Sequence, residues 1–320
     1  MAGLTRERPP SPPHPEAASM FTSPSLPGIA AGLAAAAIWG GALAVTRVGV
    51  SGETPLSPAD IAMLRFAGPA LLLLPVLLRA WPRLRQVPLR LRAMLLLGGG
   101  APFVLLAGNG LSIAHAAEAG ALLPGTVPLC VALASALLGE TFGALRVAGL
   151  AMIGSAVLAV VAPSLGAGSE AQWQGYALLI LAAGLSAGYT IALRRSGLGP
   201  WEAAAFVSVG SVLGLAPFYI VAMEPGVTAA TWHDIGCQAA FQGLASGILA
   251  PVAFAAAVRR LGASQAAAFG SLSPGAACAG GFALLGEVPA GATAMAVIVS
   301  GIGVALVTRP PPGRKRQPQE

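Results

Sequence analysis

The chain divides into ten long apolar segments that are joined by short, more polar loops. Each segment is close to the ~20 residues that a helix needs to cross a hydrocarbon layer of ~30 Å. Because lipid offers no hydrogen bonds to a bare backbone, and because the segments are continuously apolar rather than alternating, we predict membrane-spanning α-helices and no β-barrel. Their expected bounds are 29–50, 58–78, 92–113, 116–138, 144–161, 174–193, 201–222, 236–258, 264–285 and 290–307.

Composition excludes several other classes of protein. Of the 320 residues, 56% are apolar and 9% are charged, whereas a soluble domain carries roughly 25% charged residues. The net charge of +6 is not gathered in a basic cluster with interleaved aromatic residues, so we expect no nucleic-acid partner. Cys130, Cys237 and Cys278 lie singly in apolar segments without a neighbouring histidine. The sequence therefore predicts no metal site, no disulfide framework and no cofactor.

The second half of the chain repeats the first in outline. The sequence LLGE at 137–140 returns at 284–287, an offset of 147 residues, and glycine and valine residues beyond it return in register. Five helices per repeat is an odd number, so the second copy must enter the membrane from the opposite side. The sequence therefore predicts an all-α membrane protein built from two inverted five-helix repeats, an arrangement that supports alternating access.

The same counting gives the domain bounds. We predict a disordered cytoplasmic tail over residues 1–27, a first repeat over 28–162, a second repeat over 173–308 and a basic cytoplasmic tail over 309–320. The shift in composition near Met20 makes that residue an alternative start of the chain.

Arginine placement predicts the orientation. With the N-terminus in the cytoplasm, 16 of the 18 basic residues fall on the cytoplasmic side and two fall within spans. This distribution follows the positive-inside rule. We therefore expect a multi-pass protein of the plasma (inner) membrane with both termini in the cytoplasm.

Four segments carry a family resemblance. AAIWGGALAVTRVGV at 36–50, DIAMLRFAGPALLLL at 60–74, AGALLPGTVPLCVALASALLGE at 119–140 and AAAFGSLSPGAACAGGFALLGE at 266–287 resemble the drug/metabolite transporter superfamily, specifically paired EamA domains. The resemblance spans about residues 29–308. It implies ten helices, cytoplasmic termini and outward movement of small polar metabolites, often amino acids, with no enzymatic activity.

Polar residues and prolines within the spans are the candidate site. A charged or polar side chain in a span usually faces a cavity or a partner, and a proline frees a helix carbonyl. The candidates for the substrate pathway or its gates are Trp39, Arg65, Asn109, Pro128, Tyr189, Gln242, Ser271 and Pro274. Arg47, Glu140 and Glu287 are candidates for a structural or gate-closing role, the two glutamates as caps of the helices that follow them.

Residue chemistry leaves three functions open. The first is a secondary transporter that exports a small polar or amphipathic metabolite, with membrane lipids as its other partners. The second is a lipid or lipid-carrier flippase of the same fold, which only the bound molecule would separate from the first. The third, an integral membrane enzyme, is disfavoured because no metal-binding or acid–base cluster is evident. The sequence does not distinguish a monomer from a homodimer.

Overall fold

The computed structural model describes residues 26–52, 54–137, 139, 141–166, 170–261, 266 and 269–308. These residues form helices and connecting turns and contain no β-strand. The prediction of an all-α protein is therefore confirmed for this part of the chain. The tails at 1–25 and 309–320 lie outside the described residues.

The described residues contain ten apolar helical segments, which we number in chain order. They are α1 (Leu26–Val50), α2 (Pro58–Gln86), α3 (Leu89–Leu111), α4 (Ala116–Leu137), α5 (Ala144–Leu165), α6 (Glu170–Ser196), α7 (Pro200–Val221), α8 (Trp232–Leu261), α9 (Phe269–Leu285) and α10 (Gly291–Val307).

Eight of these segments, α1 to α8, are long and apolar enough to cross a membrane, whereas α9 and α10 are shorter apolar helices. Large apolar side chains cover the outer surface, among them Leu71, Leu72 and Leu78 on α2, which are 60–76% exposed. Such a surface is stable in lipid and not in water. The chain is an integral, multi-pass membrane protein, and the ten-span inverted arrangement stays a prediction.

The helix bounds differ from the expected ones mainly at polar ends. The end of α2 was expected at residue 78, yet the helix continues to Gln86 and includes Arg79, Arg83 and Arg85. A window of apolar residues stops at the first arginine, but arginine is a good helix former. The helix therefore continues beyond its apolar part. Helices α6 and α8 likewise extend past their predicted ends, through Arg194 and Arg195 and through Arg259 and Arg260, and both also begin earlier than predicted, at Glu170 and Trp232.

The contacts between helices follow the repeat. The contact of α1 with α8 has its counterpart in the contact of α6 with α3, and the contact of α1 with α9 in that of α6 with α4. Three further contacts, α2 with α7, α4 with α9 and α5 with α10, join equivalent helices of the two halves. Exchanging the halves therefore leaves this pattern of contacts unchanged.

Small residues allow the closest of these contacts. A Cβ on Gly40 of α1 would lie 2.4 Å from the carbonyl oxygen of Ser273 at the start of α9. A Cβ on Gly98 of α3 would lie 1.9 Å from the carbonyl oxygen of Leu185 on α6. Both helix pairs therefore touch backbone to backbone, as small residues permit in membrane proteins.

Candidate functional site

A cavity of about 390 Å³ lies between the two halves. Three helices from each half supply its walls, and they are the equivalent ones, α1 to α3 and α6 to α8. Its volume lies in the range of small-molecule sites, roughly 300 to 1,000 Å³. Described residues on its walls are Trp39, Ala42, Leu43, Thr46, Arg65, Phe66, Gly98, Gly99, Phe103, Val104, Ala107, Leu111, Ser186, Tyr189, Ala204, Val207, Ser208, Ser246, Gly247 and Pro251.

The third helix of each half is irregular beside this cavity. Helix α3 breaks at Gly100, which has extended backbone angles (φ −101°, ψ −157°), and it resumes at Ala101. Helix α8 has a π-helical stretch at Ala239–Leu249 and becomes α-helical at Ala250. Both irregularities end at the dipeptide Ala-Pro, which the sequence carries at 101–102 and again at 250–251.

Proline explains where these irregularities fall. A proline has no N–H to donate to the carbonyl four residues earlier, and its ring clashes with that carbonyl. For Pro102 and Pro251 those carbonyls belong to Gly98 and Gly247. Both glycines line the cavity, and a glycine presents only backbone atoms. The cavity thus receives two equivalent stretches of helix backbone whose regular hydrogen bonds are interrupted, a common arrangement at transporter sites.

Arg65 brings a positive charge to the cavity wall. It lies seven residues into α2, which is about 10 Å along the helix axis. Its guanidinium donates a hydrogen bond of 2.8 Å to Oε1 of Gln242 on α8. Gln242 is fully buried, and its Nε2 donates to the carbonyl oxygen of Ala42 and to Oγ1 of Thr46 on α1. This chain of bonds orients Arg65 through both halves of the molecule.

The charge of Arg65 has no carboxylate partner among the described residues. Of the described residues on the cavity wall it is also the one that carries a charge. Aromatic rings occupy much of the remaining wall: Trp39 packs against Phe254 with ring centroids 5.5 Å apart, and Tyr189 lies against Gly98 and Gly99. The site therefore combines one cation with a largely apolar, aromatic surface.

Ser246 is a second polar group on the wall. Its side chain is 2% exposed, and its hydroxyl has no hydrogen-bond partner among the described residues. A buried hydroxyl without a partner costs free energy unless a water or a ligand satisfies it. Ser246 lies four residues after Gln242 on α8, so it stands one turn from the group that holds Arg65.

Arg47 and Glu287 link several helix ends of the two halves. Nε of Arg47 lies 2.9 Å from Oε1 of Glu287, and both side chains are mostly buried. Arg47 also donates to the carbonyl oxygens of Leu111 and Ser112 at the end of α3. Glu287 accepts a bond from the backbone N–H of Ala116, which begins α4. Glu287 was expected to cap the helix after it, but it caps a helix of the other half, because the fold places α4 and α9 side by side.

The pair α2 and α7 is held at both ends by equivalent carboxylates. Asp60 and Glu202 each occupy the third position of their helix and accept a bond from the backbone N–H at the cap. Asp60 also accepts bonds from the Tyr219 hydroxyl near the end of α7 and, at 3.3 Å, from the N–H of Val227. At the opposite end, Glu202 pairs with Arg83 of α2 at 2.6 Å.

The sequence-predicted site residues fall into separate groups. Trp39, Arg65 and Tyr189 line the cavity, and Gln242 lies directly behind Arg65. Asn109 lies on α3 with its side chain exposed, and its amide donates to the carbonyl oxygen of Leu105 on the same helix. It was expected to line the cavity and is not among the wall residues.

The prolines and the remaining polar candidates lie elsewhere. Pro128 is in the interior of α4, away from the wall, and Ser271 is in the 3₁₀ turn at the start of α9. Pro274 was expected to free a carbonyl within a span, yet it stands in the first turn of the α-helical stretch Ser273–Leu285. A proline there removes no helical hydrogen bond. Glu140 lies outside the described residues.

Three features of the site were missed by reasoning on the sequence. These are the backbone of Gly98 and Gly247, the hydroxyl of Ser246 and the link between Asp60 and Tyr219. The Ala-Pro dipeptide within the third apolar segment of each half was a readable signal for the first of them, although Ala-Pro also occurs at 162–163 and 216–217. The role of the Ser246 hydroxyl depends on which side of α8 faces the cavity, and the link between Asp60 and Tyr219 depends on the packing of distant helices, so neither has a local signal in the sequence.

The model of the EamA-like transporter family matches residues 26–162 and 173–309. The chain belongs to the EamA-like transporter family. Its two matched regions coincide closely with the two repeats, and membership makes it a membrane transporter of the drug/metabolite transporter type. A membrane-embedded protein with a small-molecule substrate is what this family implies.

Solved structures agree with the fold of this EamA-family chain. One of them, titled "Crystal structure of protein", is 21% identical, covers 89% of this chain and 98% of its own, and has a TM-score of 0.58. At 21% identity this similarity supports the fold and nothing about function. None of the curated proteins compared with the chain matches it.

Proposed function

We propose that this protein is a secondary transporter that exports a small polar or amphipathic metabolite from the cytoplasm. The observation that carries this proposal is the cavity, whose walls come from equivalent helices of the two halves. A site shared in this way lies where two inverted repeats exchange their packing in alternating access. Movement of one half against the other would expose it first to one side of the membrane and then to the other.

The two halves are related in this proposal as inverted five-helix repeats. The exchange-symmetric helix contacts support it, and the arginine distribution favours cytoplasmic termini. In this proposal the protein lies in the inner membrane with both termini in the cytoplasm. A reporter domain fused after Arg316 is expected to stay inside the cell. A reporter on the outside would contradict the count of ten spans.

Transport itself is tested by counterflow in proteoliposomes. Metabolites that accumulate outside cells expressing the protein, relative to cells without it, are loaded into vesicles, and exchange with external labelled compound is measured. Saturable exchange is the expected result. Movement of a lipid with no exchange of any soluble compound would contradict the proposal and favour a flippase.

Alternating access is tested by cysteine labelling from each side. Cys130, Cys237 and Cys278 are first replaced by alanine, and Ser186 on the cavity wall is then changed to cysteine. We expect a membrane-impermeant thiol reagent to reach it from both sides, with a ratio that changes when substrate is added. Thr228→Cys, on an exposed position of the turn between α7 and α8, is the control whose labelling substrate should not change. Labelling from one side only, at every substrate concentration, would argue for a fixed pocket.

A further inference from the structure

The charge balance of the cavity limits what it can bind. The described wall carries one cation, Arg65, and no carboxylate. A charge buried in a membrane is expensive unless an opposite charge or a polar partner accompanies it. A ligand with one net negative charge makes the occupied cavity neutral, a zwitterion leaves it positive, and a cation adds a second positive charge.

The orientation of Arg65 also favours an anion. Its bond to Gln242 uses one of five N–H donors, and Gln242 is itself held by Ala42 and Thr46. The guanidinium is therefore positioned before a ligand arrives and keeps free donors, which suits bidentate binding of a carboxylate or a similar planar anion.

The remaining wall specifies the rest of the ligand. Trp39, Phe103 and Tyr189 offer apolar, aromatic surface, and the buried hydroxyl of Ser246 lacks a partner among the described residues. A hydroxyl of this kind points to a ligand that supplies a neutral hydrogen-bonding group.

On the basis of the proposed transport function, we propose that the substrate is a small amphipathic organic monoanion. Its anionic group binds Arg65, its apolar part lies against the aromatic residues, and a neutral N–H or O–H group bonds to Ser246. The site has no described carboxylate for an ammonium group, so a compound with a free amine binds more weakly than the same compound without one.

Three compounds with the same ring separate these cases. Indole-3-propionate is a monoanion, tryptophan adds an ammonium group to it, and tryptamine keeps the ammonium and lacks the carboxylate. Binding of each to the purified full-length protein is measured by equilibrium dialysis. We expect indole-3-propionate to bind at least about tenfold more tightly than either of the others, the size of one charge-assisted hydrogen bond.

Variants locate the effect. Arg65→Gln should weaken indole-3-propionate by about tenfold or more, whereas Arg65→Lys should retain the preference for the anion. Tryptamine should bind Arg65→Gln at least as tightly as wild type, because the variant removes a like charge from the cavity. Ser246→Ala should weaken indole-3-propionate by about fivefold without changing the order of the three compounds. Arg79→Gln is the matched control, since Arg79 is exposed on the same helix outside the cavity, and no change is expected.

Several results would overturn this assignment. They are equal or tighter binding of tryptamine, full affinity of Arg65→Gln for indole-3-propionate, and absence of binding by wild-type protein that still shows a cooperative unfolding transition. Counterflow of neutral or cationic solutes in the same preparation would keep the transport function and reject the anion. Arg65-dependent binding without movement of any solute would keep the anion site and reject the transport function.

Discussion

In the third helix of each half, a proline interrupts the backbone hydrogen bonds, and the two helices accommodate this interruption differently. Both carry Ala-Pro beside the cavity, at 101–102 and 250–251. Helix α3 breaks completely at Gly100, and the freed N–H of Ala101 donates to Oγ of Ser211 on α7. Helix α8 stays continuous by widening to a π-helix. One half therefore depends on a bond from a neighbouring helix, while the other satisfies its backbone within the same helix.

The neighbouring helices fit this difference. Aligning Pro58 with Pro200 brings Pro69 of α2 onto Ser211 of α7. Ser211 contacts the break in α3, whereas Pro69 lies against Gly243 and Gly247 of α8. The hydroxyl of Ser211 accepts the bond that the backbone N–H of Ala101 needs, whereas the ring of Pro69 lies beside a π-helix that needs no acceptor from its neighbour. Equivalent positions of the two repeats have thus acquired different chemistry, and the comparison predicts unequal effects for matched substitutions.

The largest difference is expected between Gly98→Ala and Gly247→Ala. A Cβ at Gly98 would lie 1.9 Å from a backbone oxygen of α6, whereas at Gly247 it would lie 3.2 Å from the ring of Pro69. The first clash requires two helices to move apart and should cost about 3 kcal/mol or more, and the second about 1 kcal/mol or less. Thermal unfolding in detergent measures both. Equal effects would show that the contact of α3 with α6 is not as tight as described.

The second difference concerns Asp60→Ala and Glu202→Ala. Asp60 is fully buried and accepts bonds from Ser57, Tyr219 and Val227, so its loss leaves buried donors unsatisfied. We expect it to destabilise the protein by about 3 kcal/mol. Glu202 pairs with Arg83, which is 62% exposed, so its loss should cost about 1 kcal/mol.

Salt dependence provides the control for this pair. The contribution of Glu202 should shrink between low and high ionic strength because its partner is solvated, and that of Asp60 should not. A larger loss of stability for Glu202→Ala than for Asp60→Ala would contradict the prediction that the Asp60 end of the α2–α7 pair contributes more.

A feature of the fold or of the candidate site could be predicted from the sequence where it depends on residues close together in the chain. Apolar length and arginine placement predicted the ten segments, and the rule for polar residues in spans selected Trp39, Arg65 and Tyr189, which line the cavity. The same rule selected Asn109, which bonds to its own helix, because composition does not reveal which side of a helix faces the cavity. Partners such as Arg65 with Gln242 lie 177 residues apart and follow only from packing.

Arg47 and Glu287 join the two halves through an ion pair whose contribution can be measured by substitution. Each single change, Arg47→Gln or Glu287→Gln, should cost about 2 kcal/mol, because the partner is left mostly buried without its counter-charge. The double variant should cost less than the sum by roughly 1 kcal/mol or more. Strict additivity in thermal unfolding would mean that the two side chains act independently, Arg47 through α3 and Glu287 through Ala116.

The smallest effect is expected for Ser211→Ala, which tests most directly how α3 and α8 differ beside the cavity. Removing the hydroxyl leaves the N–H of Ala101 without its acceptor at the break in α3, which should cost about 1 kcal/mol. Ser155→Ala, whose hydroxyl bonds to a carbonyl of its own exposed helix, is the matched control and should be nearly neutral. Because Gly98 and Gly99 lie just before the break and line the cavity, Ser211→Ala should also alter counterflow more than its stability cost implies. If both serine variants transport alike, the broken helix is stable without its neighbour, and the two halves differ less than their backbones suggest.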